Sequence, residues 1–161
     1  MIVIADTSPI CYLILIEAID LLPQLYGKVL IPNAVYQELK SPKSPLEVQQ
    51  WIEHIPDWLE VCEDSNTKDE ETQILDKGER EAIALAEKIK ADLIVMDEKL
   101  GRSIARKKGF NLVGILGILY SASQLNLIDL SQAFIDLQKT TFFVSPNLLK
   151  ILLEKDQQNR Q

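Results

Sequence analysis

The chain twice runs from a short, β-branched apolar stretch straight into an aspartate: IVIAD at residues 2–6 and LIVMD at residues 93–97. Runs this apolar and this short read as strands buried on both faces, the condition of a parallel sheet covered by helices. In such sheets ligands collect beyond the C-terminal strand ends, where the strand order reverses. An aspartate that ends such a strand stands where chemistry is done.

The remaining pattern fills in around these runs. Ile2 to Ala5 is the first strand, Val29 to Ile31 the second, stopped by Pro32, Leu59 to Cys62 the third, Leu93 to Met96 the fourth and Asn111 to Val113 the fifth. Helical periodicity covers Ile10 to Ile16, with Ser8 as N-cap and Pro9 in the first turn, and Ile19 to Leu25, closed near Gly27. It returns from Asn33, a capping residue, to Leu39, over Leu46 to Ile55, from Glu79 to Ile89, and over Gly101 to Lys108, closed by Gly109. Three helices around Ile115 to Gln124, Leu130 to Thr140 and Pro146 to Glu154 follow, and residues 155–161 are expected to fray. Residues 41–45 read as a loop, and 63–71 as an acidic, solvated one.

Strands alternating with helices predict an α/β fold: one domain over residues 1–154, an α/β/α sandwich with a central parallel sheet of about five strands. With the first strand central, the next two on one side and the fourth on the other, Asp6 and Asp97 face each other across the switch point.

Glu38 and Glu79 join these two aspartates at strand-to-helix positions. Four carboxylates in one place repel each other unless a cation sits between them, and a divalent ion such as Mg²⁺ or Mn²⁺ is the simplest one. The formal net charge of −7 argues against a nucleic-acid binder that works by bulk positive charge, but not against an enzyme whose negative charge is gathered in a metal site. The 2 cysteines, Cys11 and Cys62, and the single His54 form no zinc-binding pattern. With no basic leader and no span of membrane length, the expected location is the cytoplasm, with reduced thiols and no membrane partner.

Four segments taken together, IVIADTSP, LIPNAVYQEL, GEREAIALA and DLIVMDEKLGRSIARKKGF, resemble the PIN-domain nucleases over roughly Met1 to Leu153. The GE and LGR forms look like a prokaryotic subgroup similar to the toxins of toxin–antitoxin pairs. The resemblance implies an acidic pocket at the C-terminal edge of a five-stranded parallel sheet. It also implies a metal-dependent endoribonuclease that hydrolyses single-stranded or structured RNA. Asp6, Glu38, Glu79 and Asp97 match the family's acidic positions.

Phosphodiester hydrolysis needs charge neutralised on the non-bridging oxygens and water made more acidic, both of which a divalent ion supplies. Asp6 and Asp97, on rigid strand ends, are the expected direct ligands, and Glu79 completes the set. Each also has a plain structural reading: a helix cap for the aspartates, dipole-favoured charge for Glu79, and a solvent-facing helix position for Glu38. Glu81 competes with Glu79 for the same place. Glu98 is expected to point elsewhere.

Thr7 and Ser8 are candidates to orient water or phosphate, although Ser8 equally reads as a simple cap. Lys99, Arg102 and Arg106 share one helical face beside the acidic pocket and could hold the RNA backbone, or could simply form a solvated face, with Lys107 and Lys108 nearby. Tyr12 and Tyr120 read as core or interface rather than a base-stacking platform.

The resemblance further implies a small antitoxin protein that covers the acidic pocket with an Arg or Lys. The apolar helices around Leu13 to Leu25 and Ile115 to Leu125 offer a possible homodimer face. Two other enzyme and signalling folds fit worse. Haloacid-dehalogenase-like phosphatases need a second Asp where this chain has Ser8, and response-regulator receivers need a Lys after the fifth strand, where this chain has Val113-Gly114-Ile115. The main alternative is a catalytically inactive PIN-like interaction module.

Overall fold

Every residue of strand β1 (Val3–Ala5) is at 0% exposure, so it must be covered on both faces. The computed structural model, which describes residues 1–160, shows how. Strand β1 pairs in parallel with β2 (Val29–Pro32) on one side and β4 (Leu93–Val95) on the other. Strands β3 (Leu59–Cys62) and β5 (Leu112–Val113) complete a five-stranded parallel sheet in the order β3-β2-β1-β4-β5. The order reverses between β1 and β4, as the sequence predicts, with Ala5 paired to Val95 and the Asp6 N–H donating to the Val95 carbonyl at 2.9 Å.

Side chains alternate across the sheet because a strand has a period of two. Val3 and Ala5 point into one apolar cluster and Ile4 into the other. The first cluster is covered by α1 (Thr7–Leu15), α2 (Leu21–Tyr26), α3 (Asn33–Lys40), α4 (Leu46–Ile52), α7 (Ile115–Gln124), α8 (Leu130–Gln138) and α9 (Pro146–Asn159). The second is covered by α5 (Lys77–Ile89) and α6 (Lys99–Lys107). The fold is therefore α/β, a parallel sheet sandwiched between helices. Gly27 and Gly109 end their helices with φ of 72° and 92°, a conformation that favours glycine. Among the described residues no helix is long and apolar enough to cross a membrane.

Several expectations need correction. Helix α1 starts at Thr7, directly off the strand, so Ser8 lies inside the first turn and is not its cap. Pro32, not Asn33, occupies the cap position of α3. Helix α4 stops at Ile52, leaving Ile55 exposed, and one 3-10 turn (Glu70–Thr72) interrupts the acidic loop.

The C-terminal residues do not fray from position 155. Helix α9 continues to Asn159 because buried Asp156 accepts hydrogen bonds from Ser123, Gln124 and Arg160. Gln161, the last residue of the expected tail, lies outside the described residues.

The expected dimer face is largely core: Leu13, Ile19, Leu21, Leu22, Ile118 and Leu119 are all buried inside the molecule. A helix apolar on most of its circumference is filling an interior, which periodicity alone does not distinguish from an interface.

Candidate active site

The C-terminal ends of β1 and β2 open into a cavity of about 450 Å³. Its acidic end is built by Asp6, Glu38, Asp76 and Glu79, with Thr7 and Ser8 beside them. Each is held by a local device. Asp6 follows β1 without a break and is only 3% exposed, and its side chain makes no capping bond to α1. Burial pushes its carboxyl up to about 7, helped by the charges of Asp76, Glu38 and Asp97 and opposed by the Thr7 N–H.

Glu38 is not a solvent-facing helix residue. The Thr7 hydroxyl donates to its Oε2, and the Gly78 N–H donates to its Oε1 at 3.1 Å. Burial raises its carboxyl, while the Thr7 bond works against that rise.

Glu79 is buried in the first turn of α5, whose N-cap is Asp76; the Asp76 Oδ1 accepts from the Glu79 N–H at 2.9 Å. Burial drives the Glu79 carboxyl well up, reinforced by a hydrogen bond with the Asp76 carboxylate and by the charges of Asp76, Asp6 and Glu98. The upward push on Glu79 is what a negative charge meets in a crowded, partly dry place. Glu81 faces away from the cavity. It is buried and accepts from the Ser65 and Asn66 N–H groups at 2.7 and 3.2 Å, so it ties down the acidic loop.

Asp97 is not among the residues lining this cavity. Two residues past β4 the chain has turned, and the Asp97 Oδ1 accepts from the Ile115 N–H at 3.0 Å, at the start of α7. Burial raises its carboxyl against that bond and the charge of Arg102. Its Oδ2 is buried with no partner at all. A buried carboxylate oxygen without a partner is uncommon, and the charge of Asp97 is felt at Asp6.

Glu98 is exposed and is not among the residues lining the cavity. It caps α6 through the Gly101 N–H at 2.8 Å, and the Cβ position at Gly101 would lie 3.5 Å from a Glu79 oxygen and 3.7 Å from a Glu98 oxygen.

The basic stripe is divided by the fold. Arg102 turns inward and donates to the Met96 carbonyl at 2.8 Å, and Lys108 is taken by Asp69 at 2.7 Å and Glu87 at 3.4 Å. Lys99 and Arg106 stay exposed, and among the described residues they have no ion pair.

Seven lining residues were not placed at the site by the sequence reading, Asp76, Tyr12 and Lys43 among them. Asp76 could have been found, because Asp76-Lys77-Gly78-Glu79 has the spacing of a helix N-terminal box. Tyr12 lines the cavity rather than only packing in the core, and Lys43 reaches it from the 41–45 loop, with no periodic signal to mark either.

The donors around the acidic end are hard oxygens. The one sulfur, Cys11, has its thiol pushed up to about 11 by burial and stays protonated. That set and the orphaned Asp97 oxygen suit Mg²⁺ or Mn²⁺. Among the described residues no three side chains stand ready-made around one ion. Glu38 and Asp97 already accept from the Gly78 and Ile115 N–H groups, so an ion bound through those oxygens would have to displace these contacts.

A family model described as a PIN domain matches residues 2–158. No curated protein and no solved structure matches the chain.

Proposed function

The chain belongs to the PIN-domain family, whose members are generally nucleases, and from that premise we propose that it is a metal-dependent endoribonuclease. It hydrolyses phosphodiester bonds of single-stranded RNA and serves as the toxin of a toxin–antitoxin pair. The observation that carries the reading is the buried carboxylate group at the β1/β4 switch point: Asp6 with no hydrogen-bonded capping partner and Asp97 with an orphaned oxygen. Buried charges without a counter-ion cost stability, and a protein that only docks to partners gains nothing from them.

Asp6, Glu79 and Asp97 would hold Mg²⁺ or Mn²⁺. The bound ion supplies neutralisation of the phosphate charge and makes nearby water more acidic. The chain's own groups do the rest. Glu38, fixed from two sides by Thr7 and Gly78, is placed to accept a proton from attacking water. Thr7 is committed to Glu38, whereas Ser8 lines the cavity and its hydroxyl has no partner among the described residues, so Ser8 is the better donor to a phosphate oxygen. Asp76 holds the first turn of α5, and with it Glu79, in place by accepting from the Glu79 N–H. An acidic cavity of this kind attracts a cationic group from a small antitoxin.

The test is cleavage of one sequence supplied as single-stranded RNA and as single-stranded DNA, with Mg²⁺, Mn²⁺ or EDTA, by the wild type and Asp97→Asn. The expected result is metal-dependent cutting of RNA by the wild type alone. Equal cutting of DNA, or cutting that persists in EDTA, overturns the reading.

A further inference from the structure

The cavity does not end at the carboxylates. Helix α1 leaves Asp6 and sends Ser8, Cys11, Tyr12 and Leu15 into the same space, at the spacing of one helical face. From Ser8 to Leu15 this face advances roughly 10 Å at 1.5 Å per residue. It passes from hydroxyl and carboxylate to aromatic and aliphatic surface. Pro45 and Thr141 line the apolar end, and Lys43 stands on the wall.

The aromatic ring is fixed in place. Tyr12 meets Phe142 edge-on, with centroids 5.1 Å apart and planes at 73°, and its hydroxyl bonds with the Thr141 hydroxyl at 2.9 Å. The lysine loop is braced as well. The Lys43 N–H donates to the Ser41 Oγ at 3.2 Å, and Gln49 donates to the Ser44 carbonyl at 2.7 Å. Although carboxylates line the same cavity, the Lys43 ammonium pairs with none of them among the described residues.

We infer that Tyr12, Leu15 and Pro45 seat one nucleobase of the RNA strand next to the phosphate to be cut, and that Lys43 holds a phosphate of the same strand. The inference rests on the nuclease reading and adds a subsite to it. An aromatic face tolerates any base, while a single ammonium neutralises one backbone charge. A rigid ring loses little entropy on binding, so stacking energy is kept. The strand accordingly runs over α1 and the 41–45 loop, not along α6 alone. Tyr12 and Lys43 set which residue of the strand lies beside the carboxylates.

The experiment is binding of a 5′-fluorescein-labelled RNA octamer to the full chain, followed by anisotropy in EDTA so that nothing turns over. One abasic residue is moved through the octamer. For the wild type, the abasic residue weakens binding about tenfold at one position and little elsewhere, as loss of one stacked base should. In Tyr12→Leu that positional penalty disappears, and Tyr12→Phe restores it. Lys43→Ala weakens every octamer alike and lowers the log–log salt slope by about 0.7. A flat abasic profile in the wild type, or a penalty that persists in folded Tyr12→Leu, overturns the subsite. The wild-type profile decides the matter even if Tyr12→Leu does not fold. A positional penalty in a protein that cuts no RNA upholds the subsite and removes the nuclease reading instead.

Discussion

Glu38 occupies the space that a side chain at Gly78 would need: both of its carboxylate oxygens lie 2.6 Å from the Cβ position there. The glycine is what lets a residue of α3 reach the first turn of α5. It also supplies the N–H that holds Glu38, so the pair forms one device built from two segments 40 residues apart.

Gly78→Ala separates placement from stability. The added methyl group forces Glu38 aside and breaks its bonds to Thr7 and Gly78, a loss of about 1–2 kcal/mol. Alanine returns up to about 1 kcal/mol through helix propensity. The melting temperature should therefore change little, while kcat falls about a hundredfold, as for a catalytic group displaced by an ångström. Parallel melting and single-turnover measurements check this. Unchanged kcat would mean that Glu38 takes no part in the reaction.

Arg102 should matter more to the fold than to substrate. Arg102→Met removes the donor to the Met96 carbonyl and the cation nearest Asp97. The expected loss is about 2 kcal/mol for a charge-assisted hydrogen bond, or roughly 4–8 °C for a chain of this size. Calorimetry gives the answer, and a variant as stable as the wild type would return Arg102 to the list of RNA contacts.

Lys99 and Arg106, free of ion pairs among the described residues, are the members of the α6 stripe left to meet a backbone. Replacing either with alanine should reduce the salt slope of RNA binding by about 0.7 and leave base preference unaltered. An unchanged slope in the double variant would show that α6 faces only solvent.

Asp156 gives the fold an acid-sensitive lock. Burial raises its carboxyl, but hydrogen bonds from Gln124, Ser123 and Arg160 win and hold it below the ordinary carboxylate range. A carboxyl that is more acidic folded than unfolded stabilises the fold above its unfolded pKa of about 3.9, and loses that contribution as pH falls through the folded value. Asp156→Ala should cost about 2 kcal/mol at pH 7, chiefly because Ser123 and Arg160 are left without their acceptor. That deficit should shrink toward pH 3. A deficit independent of pH would assign the loss to packing alone.

Much of this was legible in the sequence because short apolar runs and their terminal aspartates are local signals. Strand order and the switch point followed from them, whereas Glu38 and Glu79 joined Asp6 only through the family resemblance. That the Asp97 carboxylate takes the Ile115 N–H at the start of α7 was not legible, since nothing local announces that contact. Tyr12 was hidden because a helix apolar nearly all round does not say which side meets a cavity. The last turns of α9 read as polar and frayed because the force that orders them, the contact of Asp156 and Arg160 with α7, is tertiary.

The most direct test of the central claim is the melting temperature of the wild type and Asp6→Asn, each in EDTA and in Mn²⁺. A metal held by Asp6 and its neighbours stabilises the wild type by about 2.7 kcal/mol at a hundred times Kd. Asp6→Asn, relieved of a buried charge, should melt higher than the wild type in EDTA and gain nothing from Mn²⁺. Equal gains from Mn²⁺ in both proteins, or none in the wild type, would contradict the assignment of this cavity as a metal centre.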